Sequence, residues 1–319
     1  MIYEHPLAYL LGIEGIALLR GFTGEHDREF VEARIAEIRD LLADESLADA
    51  AVDVERVGSV DGYRVWASTY DDGHNTAFDI DEPVIREIVE PLAAGVAVDA
   101  ACGTGRLAAM LAERGHRVIG VDSSPDMLGR ARTRVAGAEF RLGDLDALPL
   151  ADATADLVVC ALALTHVADL RPAFAEFARV LRPGGHLVIS DIHPDRVLRG
   201  KVPTVRDAEG RPGRVVAHHH LVGDFLRAAL AAGLCVRRFE EPVLDAGPPP
   251  EAPAAPRAEH LGPWELWPWS LAPVVPAAAT AAETGVPFEM IWHFQLPPEG
   301  DQSHGETRDR GSRGHEGRS

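Results

Sequence analysis

Three acids fall at intervals that suit a small-molecule site. Asp99 closes the apolar run Val96 to Val98, Asp122 closes Arg117 to Val121, and Asp144 follows Glu139 to Gly143. Between the first two lies a small-residue loop, Ala101-Cys102-Gly103-Thr104-Gly105, with the helix-forming stretch Leu107 to Glu113 behind it. A strand, a glycine loop and a helix bring backbone N–H groups close to a ligand and aim a helix N-terminus at it, which suits a nucleotide-type cofactor. Gly103-Thr-Gly105-Arg-Leu-Ala108 also fits the fingerprint G-x-G-x-x-G/A, with Asp122 near the ~20-residue offset of an acid that grips a ribose. Taken alone, the loop leaves a nicotinamide dinucleotide open.

The elements that must hold these residues alternate in type. Strands are expected at Gly95 to Ala101, Arg117 to Asp122, Glu139 to Asp144, Asp156 to Leu164 and His186 to Ile192. Helices are expected between them at Leu107 to Arg114, Pro125 to Val135 and Ala173 to Leu181, after an earlier helix at Glu82 to Leu92 with Pro83 in its first turn. Near-continuous apolar strands such as Leu157 to Leu164 belong to a parallel sheet covered on both faces, so the fold class is α/β, doubly wound and Rossmann-like. In such sheets ligands bind beyond the carboxyl ends of the strands, where the three acids fall. A helix at Leu221 to Ala232 and strands at Cys235 to Glu241 and Phe288 to Leu296 follow an irregular stretch, and Pro6 to Phe22 and Asp27 to Leu42 read as two helices.

Asp99 tilts the choice of cofactor. Before the loop it would repel a pyrophosphate and favour an ammonium. Asp144 supplies an acceptor where an exocyclic adenine amine would lie. An amine, a ribose diol and an adenine amine, with no obvious phosphate-binding Lys or Arg, describe S-adenosylmethionine.

The stretches V-D-A-A-C-G-T-G-R, V-I-G-V-D-S-S-P-D-M-L, F-R-L-G-D-L-D-A-L-P-L, D-L-V-V-C-A-L-A-L-T-H-V and L-R-P-G-G-H-L-V-I-S-D resemble the successive motifs of class I S-adenosylmethionine-dependent methyltransferases. The nearest type is that of quinone-biosynthesis C-methyltransferases and their actinobacterial small-molecule relatives. The likeness covers about Asp61 to Glu241. It implies a seven-stranded, mostly parallel sheet, with Phe288 to Leu296 as its last, antiparallel strand. It further implies that Asp99 and the loop Ala101, Cys102, Gly103 and Gly105 meet the methionine portion, with Tyr70 beside the cofactor carboxylate. Asp122 would hold the ribose hydroxyls, Ser123 and Met127 would flank ribose and adenine, Asp144 and Leu145 would bind the adenine edge, and Ala161 and His166 would line the sulfonium side. Ala101 stands where many members carry the first glycine of the loop and others carry alanine.

Methyl transfer is an in-line displacement, so positioning supplies much of the rate. A protic acceptor still calls for a base. His166 and His193, each following a strand end, are the candidates for a catalytic role, with Tyr63 and the run His218-His219-His220 behind them. Consecutive side chains on an extended segment point to opposite faces, so the run does not read as a metal site, and no metal is expected.

Taken together, residues 1–60 are expected to form an N-terminal helical extension or lid, which packs on the fold, joins a homodimer or covers the acceptor. Residues 61–298 are expected to form the methyltransferase domain, with 193–220 and 242–287, the latter bearing Trp264, Trp267 and Trp269, as a substrate cap. Residues 299–319 are polar and Gly/Arg-rich and read as a disordered tail. The formal net charge of −19 argues against a nucleic-acid partner. Three cysteines without metal-ligand spacing fit a cytoplasmic setting, and Leu7 to Leu19, broken by Glu14, is too short to span a membrane. The expected acceptor is a small organic molecule, a specialised metabolite; a quinone ring is the alternative. A protein that binds S-adenosylmethionine without methylating is the alternative of another class.

Overall fold

The structure, a computed structural model, describes residues 1–67, 70–71, 75–206, 211–243, 269–298 and 300. The chain opens with β1 (Ile2–Glu4), α1 (Pro6–Gly21), α2 (Arg28–Ala43), α3 (Glu45–Ala48), β2 (Val52–Val57) and α4 (Ser59–Trp66). The alternation follows as α5 (Thr76–Val89), β3 (Val96–Ala100), α6 (Arg106–Glu113), β4 (Arg117–Asp122), α7 (Pro125–Arg134), β5 (Glu139–Leu142), β6 (Ala155–Ala161), α8 (Leu170–Val180) and β7 (Leu181–Ile192). Then come α9 (Pro194–Leu198), β8 (Thr204–Arg206), β9 (Pro212–Val215), α10 (Val222–Ala231), β10 (Cys235–Glu240), α11 (Pro276–Glu283) and β11 (Glu289–Gln295).

Seven strands form one sheet in the order β10-β11-β7-β6-β3-β4-β5. β11 alone runs against its neighbours, antiparallel to both β10 and β7; the other pairings are parallel. The chain steps from β3 out to β5 and returns to β6 on the other side of β3, so strand order reverses beside β3, where a doubly wound sheet opens its crevice. Both faces are covered, as the apolar strands require. Phe174, Phe177, Phe225 and Phe294 anchor one core, and Ile85, Leu107, Met110 and Leu111 the other.

A second, four-stranded sheet, β1-β2-β9-β8, was not legible in the sequence. Its β2 and β9 pair in parallel, Glu55 with Gly213 through Val57 with Val215, and join the N-terminal extension to the stretch expected to be irregular. Strands of three to six residues are too short to declare a period. A buried ion pair, Arg214 Nε to Glu4 Oε1 at 2.5 Å, clamps β1 to β9. α1 packs on α11 within the chain through Leu10, Ala17, Val275, Ala278 and Ala281.

Other boundaries differ for local reasons. α5 begins at Thr76, six residues before expectation, because the Asn75 side chain accepts from Ala77 N at 3.1 Å and caps it; Pro83 therefore lies inside the helix. β6 stops at Ala161, since Leu162 takes a left-handed φ of 55°. Trp264 and Trp267 lie outside the described residues, as do residues 301–319 of the expected tail. Among the described residues no helix is long and apolar enough to cross a membrane.

Candidate active site

A cavity of about 520 Å³ opens at the carboxyl ends of β3, β4 and β6. Tyr70, Ala101, Gly103, Asp122, Ser123, Met127, Asp144, Leu145, Ala161 and His166 all border it. A narrower space of about 40 Å³ shares Tyr70, Ala101 and Gly103 with it and adds Asp99 and Cys102. Of the expected cofactor residues only Gly105 borders neither.

The glycine loop is shaped by a carboxylate. Asp122 Oδ2 accepts from Gly103 N and its Oδ1 from Ser124 N, both at 2.8 Å, so one side chain ties the loop to the start of α7. Burial raises the Asp122 carboxyl, against the pull of these N–H donors. Ser124 caps α7, accepting from Met127 N at 3.3 Å, and sets Met127 on the cavity wall. Asp99 is 2% exposed and its Oδ2 has no hydrogen-bond partner. Burial pushes its carboxyl up to about 7, opposed by the Arg106 charge.

The two glycines do different work. At Gly103 (φ 52°) an added Cβ would meet nothing within 4 Å, whereas at Gly105 (φ 85°) it would lie 3.1 Å from Ala131 Cβ and 3.2 Å from Ala131 Cα. Gly103 thus presents bare backbone to the cavity, and Gly105 lets α6 and α7 approach each other. Ala101 (φ 61°) and Leu162 (φ 55°) hold left-handed conformations on the cavity wall, the strained kind that collects at functional sites. The Cys102 side chain packs against Leu128 and Ala131, and burial pushes its thiol up.

Arg106, which follows the loop, holds buried Asp81 in a two-pronged pair at 2.8 and 2.7 Å, with Ser190 Oγ donating to Asp81 at 3.0 Å. Its guanidinium lies 4.1 Å over the Phe78 ring. The cation that follows the loop in sequence is therefore committed to Asp81, a partner sequence reasoning missed. Asp71 was missed too: it takes the Thr104 hydroxyl at 2.9 Å and Arg134 at 2.8 Å, fastening the residue next to Tyr70 to the loop.

Tyr63 and Trp66 sit on α4, and their spacing with Tyr70 of three and four residues was a helical signal within the aromatic stretch. The Tyr63 ring stands edge-on to Trp66 and Tyr70 at 5.6 and 5.9 Å between centroids. Tyr63 Oη lies 2.9 Å from His166 Nε2, and His166 Nδ1 lies 2.6 Å from Val216 O. A carbonyl only accepts, so Nδ1 carries the proton and Nε2 accepts from the Tyr63 hydroxyl. The turn bearing His166 is held by Asp191, whose Oδ2 accepts from Thr165 N at 2.7 Å. Burial lowers the His166 imidazole and raises the Tyr63 phenol well above its ordinary value.

The structure does not bring His193 to the cavity. Its Nδ1 accepts from Asp195 N at 3.2 Å, capping α9, and its Nε2 lies 3.0 Å from Glu241 Oε1. In the His run, the His218 backbone bonds Thr165 O and His220 Nε2 donates to Val167 O at 2.6 Å, so both brace the turn that carries His166.

Sequence comparison accords with this geometry. Residues 98–189 match the family model described as a methyltransferase domain. The chain is 43% identical over 95 residues to a malonyl-[acyl-carrier protein] O-methyltransferase of Serratia marcescens, covering 30% of this chain and 37% of that one. It is 43% identical over 103 residues to a demethylmenaquinone methyltransferase of Thermus thermophilus, covering 30% and 47%. The chain thus spans less than half the length of these curated relatives. A methyltransferase solved in complex with the Haloferax volcanii Trm112 activator shares the fold, with a TM-score of 0.55 and 21% identity over 75% of this chain and 97% of that one. Residues 98–189 thus carry a methyltransferase-domain match on a doubly wound sheet with acids at its strand ends, and S-adenosylmethionine is the cofactor of that class. The residues present fit that cofactor: Asp99 Oδ2 is a buried acceptor lacking a donor, and Gly103 offers a cradle that a side chain would fill.

Proposed function

We propose that this protein transfers the methyl group of S-adenosylmethionine to a small organic acceptor, a specialised metabolite, in the cytoplasm. The observation that carries this reading is the convergence of Asp99, Asp122 and Asp144 on two adjoining spaces that share the open Gly103 cradle. Asp99 and the Ala101 to Gly103 backbone would take the methionine portion, with Tyr70 beside its carboxylate. Asp122, flanked by Ser123 and Met127, would hold the ribose, and Asp144 with Leu145 the adenine edge. Ala161 and His166 would border the sulfonium. Bound there, the cofactor supplies an electrophilic methyl group with a neutral thioether as leaving group; the chain's own part is to orient it and the acceptor.

The extra elements support a cap over the acceptor. Gly62 of α4 approaches β9 so closely that a Cβ would lie 2.6 Å from Val215 Cγ2, which couples the helix bearing Tyr63 to the second sheet. We therefore assign residues 1–60 and the described parts of 193–220 and 242–287 to that cap. A second reading, methylation of a quinone ring, is favoured by the likeness to the Thermus thermophilus enzyme and by the apolar residues Val60, Val167 and Pro172 on the cavity wall. The test is a labelled-methyl assay against a metabolite panel, with mass spectrometry of the product. Label in a product together with S-adenosylhomocysteine release supports the proposal. Binding of S-adenosylmethionine with no release across the panel would favour a non-methylating binder.

A further inference from the structure

The reading above leaves the acceptor's chemistry open, and one part of the cavity bears on it. Tyr63 and His166 both border the cavity and are hydrogen-bonded to each other, with the direction of the bond set by Val216 O. The tyrosine oxygen keeps acceptor capacity, because its one proton is given to His166 Nε2. We propose that Tyr63 and His166 form a proton-accepting pair and that the methyl acceptor is a neutral molecule presenting a hydroxyl, aliphatic or phenolic, to Tyr63. This rests on the methyltransferase reading.

The surroundings select against an anion. Among the described residues that border the main cavity there is no Lys or Arg, while Asp144, Asp146 and Asp169 are present. Arg171, outside the lining, is committed to Asp169 by bonds of 2.6 to 3.1 Å. A carboxylate would enter a field of like charge with no counter-ion from the protein, whereas a hydroxyl needs only an acceptor oxygen. The pair is also in the correct protonation state. Burial and the neighbouring His218 keep His166 neutral, and burial with the charges of Asp191 and Asp122 keeps Tyr63 a phenol.

In the transfer step the acceptor oxygen's lone pair forms the bond to the methyl carbon as the carbon–sulfur bond breaks and its electron pair returns to sulfur. The hydroxyl proton passes to the Tyr63 oxygen, and the Tyr63 proton passes to His166 Nε2. The imidazolium so formed keeps its Nδ1–H on Val216 O and then releases the added proton to solvent. Tyr63 is the group that touches the acceptor, and His166 is the base behind it.

The test uses the full chain saturated with S-adenosylhomocysteine, whose binding is measured separately by calorimetry. Imidazole ¹⁵N NMR, assigned with His166→Asn, is followed while phenol or benzoate is added at equal concentration. Phenol should move the His166 Nε2 signal in the wild type, and benzoate should not. Tyr63→Phe should abolish the phenol response while retaining S-adenosylhomocysteine affinity within about threefold. The response should fade as pH falls through the lowered His166 pKa, below 6.5, where Nε2 becomes protonated. A benzoate response, no phenol response, or an unchanged response in Tyr63→Phe overturns the pair. Failure of S-adenosylhomocysteine to bind the wild type overturns the methyltransferase reading itself, and this inference with it.

Discussion

Glu289, on β11, is fully buried, and neither of its carboxyl oxygens has a hydrogen-bond partner. Burial, then the charges of Asp81 and Asp191, push its pKa from 4.5 up to about 10. The folded state therefore holds a proton that the unfolded chain releases above about pH 4.5. Stability is full below that value and falls as pH rises toward 10. Glu289→Gln keeps the shape without the ionisable proton, so it should stabilise the fold at pH 7 by up to about 3 kcal/mol. The gain in melting temperature should be larger at pH 8 than at pH 5; an equal gain at both would contradict the assignment. The contrast with Asp99, Asp122 and Asp144 shows what is legible at this scale. Each of those acids falls at or just beyond the carboxyl end of a strand and announces a ligand-facing position. Glu289 lies within the alternation Phe288 to Phe294, and nothing in its neighbours in sequence tells that Asp81, far away along the chain, faces it.

At the scale of elements, the glycine loop works because α6 and α7 come close behind it. Gly105→Ala would place a methyl against the Ala131 backbone at a φ of 85°, and should cost about 1–3 kcal/mol by denaturant unfolding. Gly103→Ala meets no such backbone, so its cost should be smaller, limited to the strain of its φ of 52°. Equal losses would show that the two glycines share one role. The strands and helices of the large sheet were readable from apolar runs punctuated by acids and glycines. The start of α5 is not, because Pro83 reads as a first-turn marker while the actual cap, Asn75, lies further back. The second sheet was hidden for a different reason. Its strands are short, and partners such as Glu55 and Gly213 are joined only by the folded chain. The Tyr63 to His166 bond was likewise out of reach, although both residues were singled out as chemically able.

At the scale of the whole molecule, the N-terminal extension is part of the same body as the sheet. The Glu4–Arg214 pair carries β1 onto β9, and α1 closes on α11. Glu4→Gln leaves the Arg214 charge buried with a weakened partner, and should cost about 3–5 kcal/mol in thermal or denaturant unfolding. Loss of less than about 1 kcal/mol would mean that the extension is only loosely attached. The central claim concerns the cofactor, and calorimetric titration of S-adenosylmethionine into the wild type and Asp122→Ala tests it most directly. Asp122 ties Gly103 to Ser124 and borders the cavity, so the wild type should bind and Asp122→Ala should bind at least tenfold more weakly, about 1.4 kcal/mol, with its secondary structure retained by circular dichroism. Equal affinity in the two proteins, or no binding by the wild type, would contradict the account.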